Sequence, residues 1–347
     1  MAQLPDSVRE LQLDGEPASE YLGRRGFKLI HQGKVRDTYV NVNHPDRLLV
    51  IATDRISIFD FVLPTLIRGK GEVLTALSHF WLTVILSQWP NHLIPSVLAP
   101  RFNAAYDLAE DFNFRGSEFP LTRSLVVKRQ NMQPFELIFR RHLGGSVWNT
   151  YQNTGAIGGH TLPAGLARWA RLDQPLFTPS TKEEVGHDLN ITADQYLAAM
   201  GSEGQAAHHA LLHAYNKAYD YAYERGILIL DTKFEVGSPF VFADEVLTPD
   251  SSRFTTVEEY AKAIAGGHDP VFYDKEPVRI WGRSVETPFG VTGINNLNPA
   301  NPDHVAFVHS LEVPSHIEYD TTKRYWKIFY MLTGEDIDDY HRRAMGL

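Results

Sequence analysis

Asp231, Lys233 and Glu235 stand at alternate positions in the stretch ILILDTKFEVG, residues 227–237. The four apolar residues ahead of them read as a buried strand between the turn at Gly226 and the breaker at Gly237. Side chains alternate along a strand, so the three charged residues share one face, while Thr232, Phe234 and Val236 take the other. Two carboxylates flanking an ammonium are costly over a core unless they are paired or used. A solvated, salt-bridged edge strand would carry the same pattern. The row equally suits a hard cation on carboxylate oxygens and a phosphate on the lysine. Phe240 to Phe242 reads as a return strand across Gly237-Ser238-Pro239, which brings Asp244 toward the same face. With Glu245 and Arg253 in the exit loop, the acids Asp231, Glu235, Asp244 and Glu245 and one arginine fall within a hairpin and its exit loop. That density favours a metal–phosphate site.

Further candidates lie upstream. Gly33-Lys34-Val35-Arg36-Asp37 sits at a hairpin tip, where glycine lets backbone amides approach an anion and two cations alternate. Asp54, Arg55, Ser57 and Asp60 crowd the segment Thr53 to Asp60, read as a loop threaded with Ile56, Ile58 and Phe59. Arg68 and Lys70 alternate with glycines just before a helix that starts at Glu72, an arrangement suited to anions. Lys128 lies in the strand-like run Ser124 to Arg129, in the manner of a lysine that reaches nucleotide phosphates. Arg140-Arg141-His142-Leu143-Gly144-Gly145-Ser146 offers guanidinium forks, glycines and a serine at a helix start, suited to a phosphomonoester. Ser146 reads equally as a plain N-cap. His209 and His213 lie four apart on a helix, but with no third ligand nearby they read as a satisfied or exposed pair.

The elements that must position these groups follow from the pattern. Phe27 to Ile30, Val35 to Val42 and Arg47 to Ala52 are strands with short connections, which suggests an antiparallel sheet rather than βαβ units. Phe135 to Arg140 is expected to pair with Ser124 to Arg129 across Asn131 to Pro134. Asn153 to Gln174 is loop-rich; Val147 to Gln152, Ile191 to Met200, Glu203 to Arg225 and Val257 to Ala265 are helices. Helices over Thr322 to Tyr330 and Glu335 to Met345 close the chain, with Trp326, Phe329 and Tyr330 as core.

At 347 residues, 43% hydrophobic and 22% charged, the chain can bury a large core. A net charge of −9 argues against bulk-charge binding to nucleic acid. Without cysteine there are no disulfides, thiolate zinc sites or cysteine nucleophiles. No charged-then-apolar leader or uninterrupted apolar span is seen, so a cytoplasmic location and no membrane partner are expected.

In content and order these motifs resemble the phosphoribosylaminoimidazole-succinocarboxamide synthase (SAICAR synthetase) family. The matching stretches are GKVRDTY (33–39), ATDRISIFDFVLPTLIRGKGEVLTALSHFW (52–81), VVKR (126–129), ELIFRRHLGGS (136–146), LFTPSTK (176–182), LDTKFEVG (230–237) and DEVLTPDSSR (244–253). Two positions depart from it: Gly144, where the family often has Thr or Ala, and Ile58, where Ala is usual. The resemblance implies an α+β fold with an ATP-grasp-like cleft. An antiparallel N-terminal lobe resembling a kinase small lobe (1–133) would cover a larger α/β lobe (134–347). It implies a purine-pathway ligase that uses ATP and Mg²⁺ to join carboxyaminoimidazole ribonucleotide to L-aspartate through an acyl phosphate. By similarity, Gly33, Lys34, Arg36 and Lys128 would meet ATP, and Glu235 and Asp244 the magnesium. Arg140, Ser146, Arg253, Asp54, Arg55, Ser57 and Asp60 would meet substrates, and Asp231, Lys233, Arg68 and Lys70 would form the catalytic set. A homo-oligomer is left open. Two other readings share the nucleotide site: a small-molecule kinase, releasing ADP but no phosphate, and a nucleotide-binding regulatory module without turnover.

Overall fold

The computed structural model describes residues 3–13, 15–94, 119–182 and 189–347. By internal contacts the chain forms two compact units. The first gathers Met1–His79, His92–Arg129 and Asp274–Leu347; the second gathers Phe80–Asn91 and Gln130–Tyr273.

The first unit holds an antiparallel sheet in the order Phe27–Gln32, Arg36–Asn41, His44–Ala52, Ser124–Lys128. Along Arg36–Asn41 the burial alternates, with Asp37, Tyr39 and Asn41 inside. Tyr39, Leu49, Ile51 and Val126 join Leu22 and Phe27 in one core cluster. Each such side chain, fully buried, contributes about 1.5–3 kcal/mol.

The segment after Asp54, read as a loop, is a hairpin of Arg55–Ile58 against Phe61–Leu66. Ile58 pairs directly with Phe61, so Phe59 and Asp60 form a two-residue turn, both with positive φ (49° and 68°). Phenylalanine is not a residue that announces such a turn. Burial explains the hairpin: Ile56, Ile58, Phe61 and Leu63 pack with Val278, Ile294 and Val308 from the C-terminal segment. Ile58, one of the two family departures, is matched by Gly282, whose added Cβ would lie 2.6 Å from Ile58 Cδ1. The helix Lys70–Phe80 follows. At the C-terminus Ser315–Thr333 is helical; Phe329 is buried, but Tyr330, expected in the core, is 60% exposed.

In the second unit the order is Arg171–Phe177, Phe135–His142, Ile227–Gly237, Val241–Ala243, with Ser180–Thr181 on Phe135–His142 and Ser252–Thr256 on Ile227–Gly237. Phe135–His142 therefore does not pair with Ser124–Lys128 as expected. The intervening segment docks elsewhere, through a Met132–Gly237 bridge and a Gln133 N–H donated to the Val236 carbonyl at 2.9 Å. Such long-range partners leave no local trace in the sequence. The helix Ala193–Tyr223 lays Ala207, Leu211, Ala214, Ala218 and Ala222 against this unit, and Tyr215 Oη donates to the Ile229 carbonyl at 2.7 Å. Thr192 and Gln195 form a capping box, and Gly201 (φ 56°, ψ −134°) breaks the helix where two were expected.

Candidate active site

The strand Ile227–Gly237 carries the charged row around which the candidate site of the second unit is built. Its register sets Asp231 opposite Arg140 on one side and Arg253 on the other. Arg140 Nη1 donates to Asp231 Oδ2 at 2.7 Å, and Arg253 Nη1 donates to the same oxygen. Arg140 Nε also donates to Thr178 Oγ1 at 3.0 Å. Burial lowers the Arg140 pKa, with Asp231 opposing and Arg253 reinforcing. Two guanidinium groups against one carboxylate leave a net positive charge, suited to a second anion. The turn after Phe135–His142 meets them: Gly145 has φ 65°, and a Cβ there would lie 3.0 Å from the Arg253 guanidinium. The helix Ser146–Thr154 starts at this turn without a side-chain cap.

Two residues along the same face, Lys233 Nζ donates to Glu136 Oε1 at 2.6 Å and to Glu235 Oε1 at 3.1 Å. Lys182 Nζ holds the other Glu235 oxygen. Burial would raise the Glu235 pKa, but Lys233 and Lys182 outweigh it and take it down to about 2. Burial would lower that of Lys233, but Glu235, Glu136 and Asp244 outweigh it and hold it above the ordinary range. The hairpin partner pairs Glu235 with Ala243, so Asp244 (φ 55°) follows directly. Glu245 is buried and accepts from Thr248 Oγ1 at 2.6 Å, which ties it to the turn. Glu136 and Lys182 lie within the 136–146 and 176–182 motifs, and nothing in their spacing announces that they meet Lys233 and Glu235.

Glu235 and Asp244 are hard oxygen donors, and among the described residues no group of three or more His, Cys, Asp and Glu could hold a metal. A pair of carboxylates fits Mg²⁺ completed by phosphate and water, not an all-protein cage. His209 and His213 meet at 3.2 Å between Nε2 atoms on an exposed helix face.

The first unit gathers a separate set. Arg55, 1% exposed, donates to Asp37 Oδ1 at 2.6 Å, to the Gly33 carbonyl at 3.1 Å, to Lys34 at 3.3 Å and to Arg9 at 3.2 Å. Lys34 Nζ reaches Asp60 Oδ1 at 2.6 Å. Asp54 accepts from the Gly71 and Gly69 amides at 2.9 and 3.3 Å and from Arg123 at 3.2 Å. Lys70 is buried, 6.0 Å from the Tyr325 ring centre, while Arg68 is exposed. Ser57 is buried opposite Val62. Arg36 pairs with Ala52 and Lys128 with Arg47, at opposite ends of the sheet.

The fold is α+β, and the Arg140–Asp231–Arg253 cluster within it is a candidate anion site. The family model of SAICAR synthetase matches residues 29–292. The phosphoribosylaminoimidazole-succinocarboxamide synthase of Maridesulfovibrio salexigens is 39% identical over 318 residues, covering 90% of this chain and 96% of the relative. That of Schizosaccharomyces pombe is 36% identical, with 89% and 95% covered. The solved SAICAR synthase of Saccharomyces cerevisiae, complexed with SAICAR, superposes with TM-score 0.70 at 31% identity over 95% of this chain and 99% of that one. A SAICAR synthetase in complex with ADP shares the fold at TM-score 0.57 and 18% identity, over 88% of this chain and 98% of that one. The chain belongs to the SAICAR synthetase family, a family of carbon–nitrogen ligases. No helix among the described residues is long and apolar enough to cross a membrane.

Proposed function

We propose that this chain joins carboxyaminoimidazole ribonucleotide to L-aspartate, converting ATP to ADP and phosphate and giving the succinocarboxamide. The observation that carries the residue assignment is the meeting of Arg140 and Arg253 on one oxygen of Asp231, beside the Gly145 turn. Its surplus positive charge and the helix start, which carries no side-chain cap, suit a dianionic phosphomonoester.

A carboxylate is a poor acylating agent. Its oxygen therefore attacks the γ-phosphorus of ATP and ADP departs. The aspartate amine then attacks the acyl carbon, and phosphate leaves with the bridging oxygen. Bringing these anions together requires fixed positive charge. Lys233 supplies it beside Glu235 and stays protonated at neutral pH, which makes it a charge stabiliser and not the base for the amine. Glu235 and Asp244 would hold Mg²⁺, which neutralises nucleotide phosphates when bound. In the first unit, Gly33, Lys34 and Arg36 form the ATP phosphate turn. Arg55 holds that turn through two of its carbonyls instead of touching substrate, and Asp54 holds the start of the Lys70–Phe80 helix. Arg68, exposed next to it, would meet the aspartate carboxylates, while Asp60 accepts from Lys34 and steadies the phosphate turn. Phosphate release measured with ATP, Mg²⁺, the ribonucleotide and aspartate, omitting each in turn, tests the reading. Release requiring all four supports it, and release without aspartate or without the ribonucleotide overturns it.

A further inference from the structure

The turn Gly144–Gly145 is pressed between two flat groups. In front, the Arg253 guanidinium lies 3.0 Å from where a Gly145 Cβ would stand. Behind, a Cβ on Gly144 would lie 2.1 Å from Cε3 and Cζ3 of Trp169, so the indole occupies the space that any other residue at 144 would need. That contact cannot be relieved by a small shift, because Trp169 is pinned on every side. It is 2% exposed and has a left-handed backbone (φ 64°), uncommon and strained for a bulky side chain. Its N–H donates to the Leu143 carbonyl at 2.7 Å, its carbonyl accepts from Tyr260 Oη at 2.8 Å, and its indole Nε1 donates to Asp269 at 2.8 Å. The ring lies 5.2 Å from that of Phe272, whose neighbour Tyr273 donates its N–H to the Phe254 carbonyl, next to Arg253. The indole thus braces the turn and the Arg253 strand together.

We propose that Trp169 is a positioning residue for the ribonucleotide phosphate: it sets the Gly144–Gly145 turn against Arg253 and fixes the distance between the turn's amides and the guanidinium. Gly144, a departure from the family pattern, is the partner this indole demands. The inference rests on assigning the phosphate to the Arg140–Arg253–Gly145 cluster. It differs from that assignment in placing a determinant of phosphate affinity on a residue that touches neither substrate nor ion.

The test is the ratio of affinities for the succinocarboxamide ribonucleotide and its dephosphorylated nucleoside, measured by calorimetry on the full chain. It is taken for wild type, Gly144→Ala, Trp169→Leu and the double variant, each checked for a cooperative thermal transition. Trp169→Phe stands in if Trp169→Leu does not fold. Wild type is expected to prefer the nucleotide by at least about a hundredfold, the scale of a few charge-assisted hydrogen bonds. Each single variant should lose about tenfold of that preference with nucleoside affinity unchanged. The double variant, where leucine leaves room for the Cβ, should recover part of the Gly144→Ala loss. A general loosening of the fold would instead weaken both ligands alike. Full nucleotide preference in a folded Trp169→Leu or Trp169→Phe overturns the role of Trp169. Absence of any preference in wild type overturns the phosphate-site assignment beneath it.

Discussion

Arg140 and Arg253, 113 positions apart in sequence, donate to the same carboxylate oxygen of Asp231. Asp231 is therefore the hub that holds two cations at close range, and a hub of this kind is sensitive to removal of any member. Replacing Arg140 with Ala leaves Asp231 buried with Arg253 as its remaining cation and removes the cluster's surplus positive charge. The ribonucleotide KM should rise about tenfold to a hundredfold, the KM for ATP by less than about threefold; tenfold corresponds to about 1.4 kcal/mol. Steady-state kinetics with each substrate varied in turn checks this, and equal rises would count against the assignment.

Glu235→Gln keeps the shape of the side chain and loses its charge. Lys182 and Lys233 then lose their shared counter-ion, and Mg²⁺ loses a ligand. The kcat should fall by roughly a hundredfold or more, since charge stabilisation of this kind contributes several kcal/mol. Excess Mg²⁺ should recover part of it. Unchanged turnover at limiting Mg²⁺ would remove Glu235 from the metal site.

Arg55 and Asp37 are each 1% exposed at the side chain and close at 2.6 Å. Arg55→Ala should cost about 3–5 kcal/mol in unfolding free energy, because it leaves a buried carboxylate without its cation and two turn carbonyls without this donor. A hydrophobic replacement of both partners should cost much less. Urea unfolding of the two variants distinguishes this bracing role from a substrate contact, which would leave stability within about 0.5 kcal/mol of wild type.

Three histidines are buried in their neutral form: burial lowers His92 and His142 to about 3 and His341 to about 4, against the ordinary 6.5. Arg36 adds to this at His92, and Arg171 and Arg141 at His142, while Asp338 and Asp336 oppose it at His341. Below pH 6.5 the unfolded chain binds these protons and the folded chain does not. Stability therefore falls as pH falls, by up to about 4 kcal/mol per unit between roughly pH 6 and 4. The depressed Glu235 adds a further loss between 4.5 and about 2. Urea midpoints from pH 7 to 5 measure the slope, and His142→Phe should lower it by about one proton. A flat profile across pH 6 to 5 would contradict the buried neutral histidines.

Much of this arrangement is legible in the chain itself, where chemistry and local pattern coincide. The strand at 227–237, its alternating Asp231–Lys233–Glu235 face, the return strand toward Asp244 and the glycine turn at 33 all follow from period and residue type. What is not legible is held by distant partners. The Arg171–Phe177 strand lies in a stretch rich in loop residues and is strand only because Phe135–His142 receives it. The Phe59–Asp60 turn has the wrong residues for its conformation and is imposed by packing of Ile58 and Phe61. Asp54 and Arg55 have the composition of substrate contacts, yet their hydrogen bonds are taken by Gly69, Gly71, Gly33 and Lys34. Glu136 and Lys182 complete the charged row from separate strands and from the end of the 176–182 motif, a proximity that spacing does not encode.

The most direct test of the ligation chemistry is isotope transfer. With ¹⁸O in the substrate carboxylate and a single turnover in the presence of ATP, Mg²⁺ and L-aspartate, mass analysis of the released phosphate should find one labelled oxygen for each carboxylate consumed, because the bridging oxygen leaves with phosphorus. Unlabelled phosphate alongside labelled product and water would contradict an acyl phosphate formed on this chain.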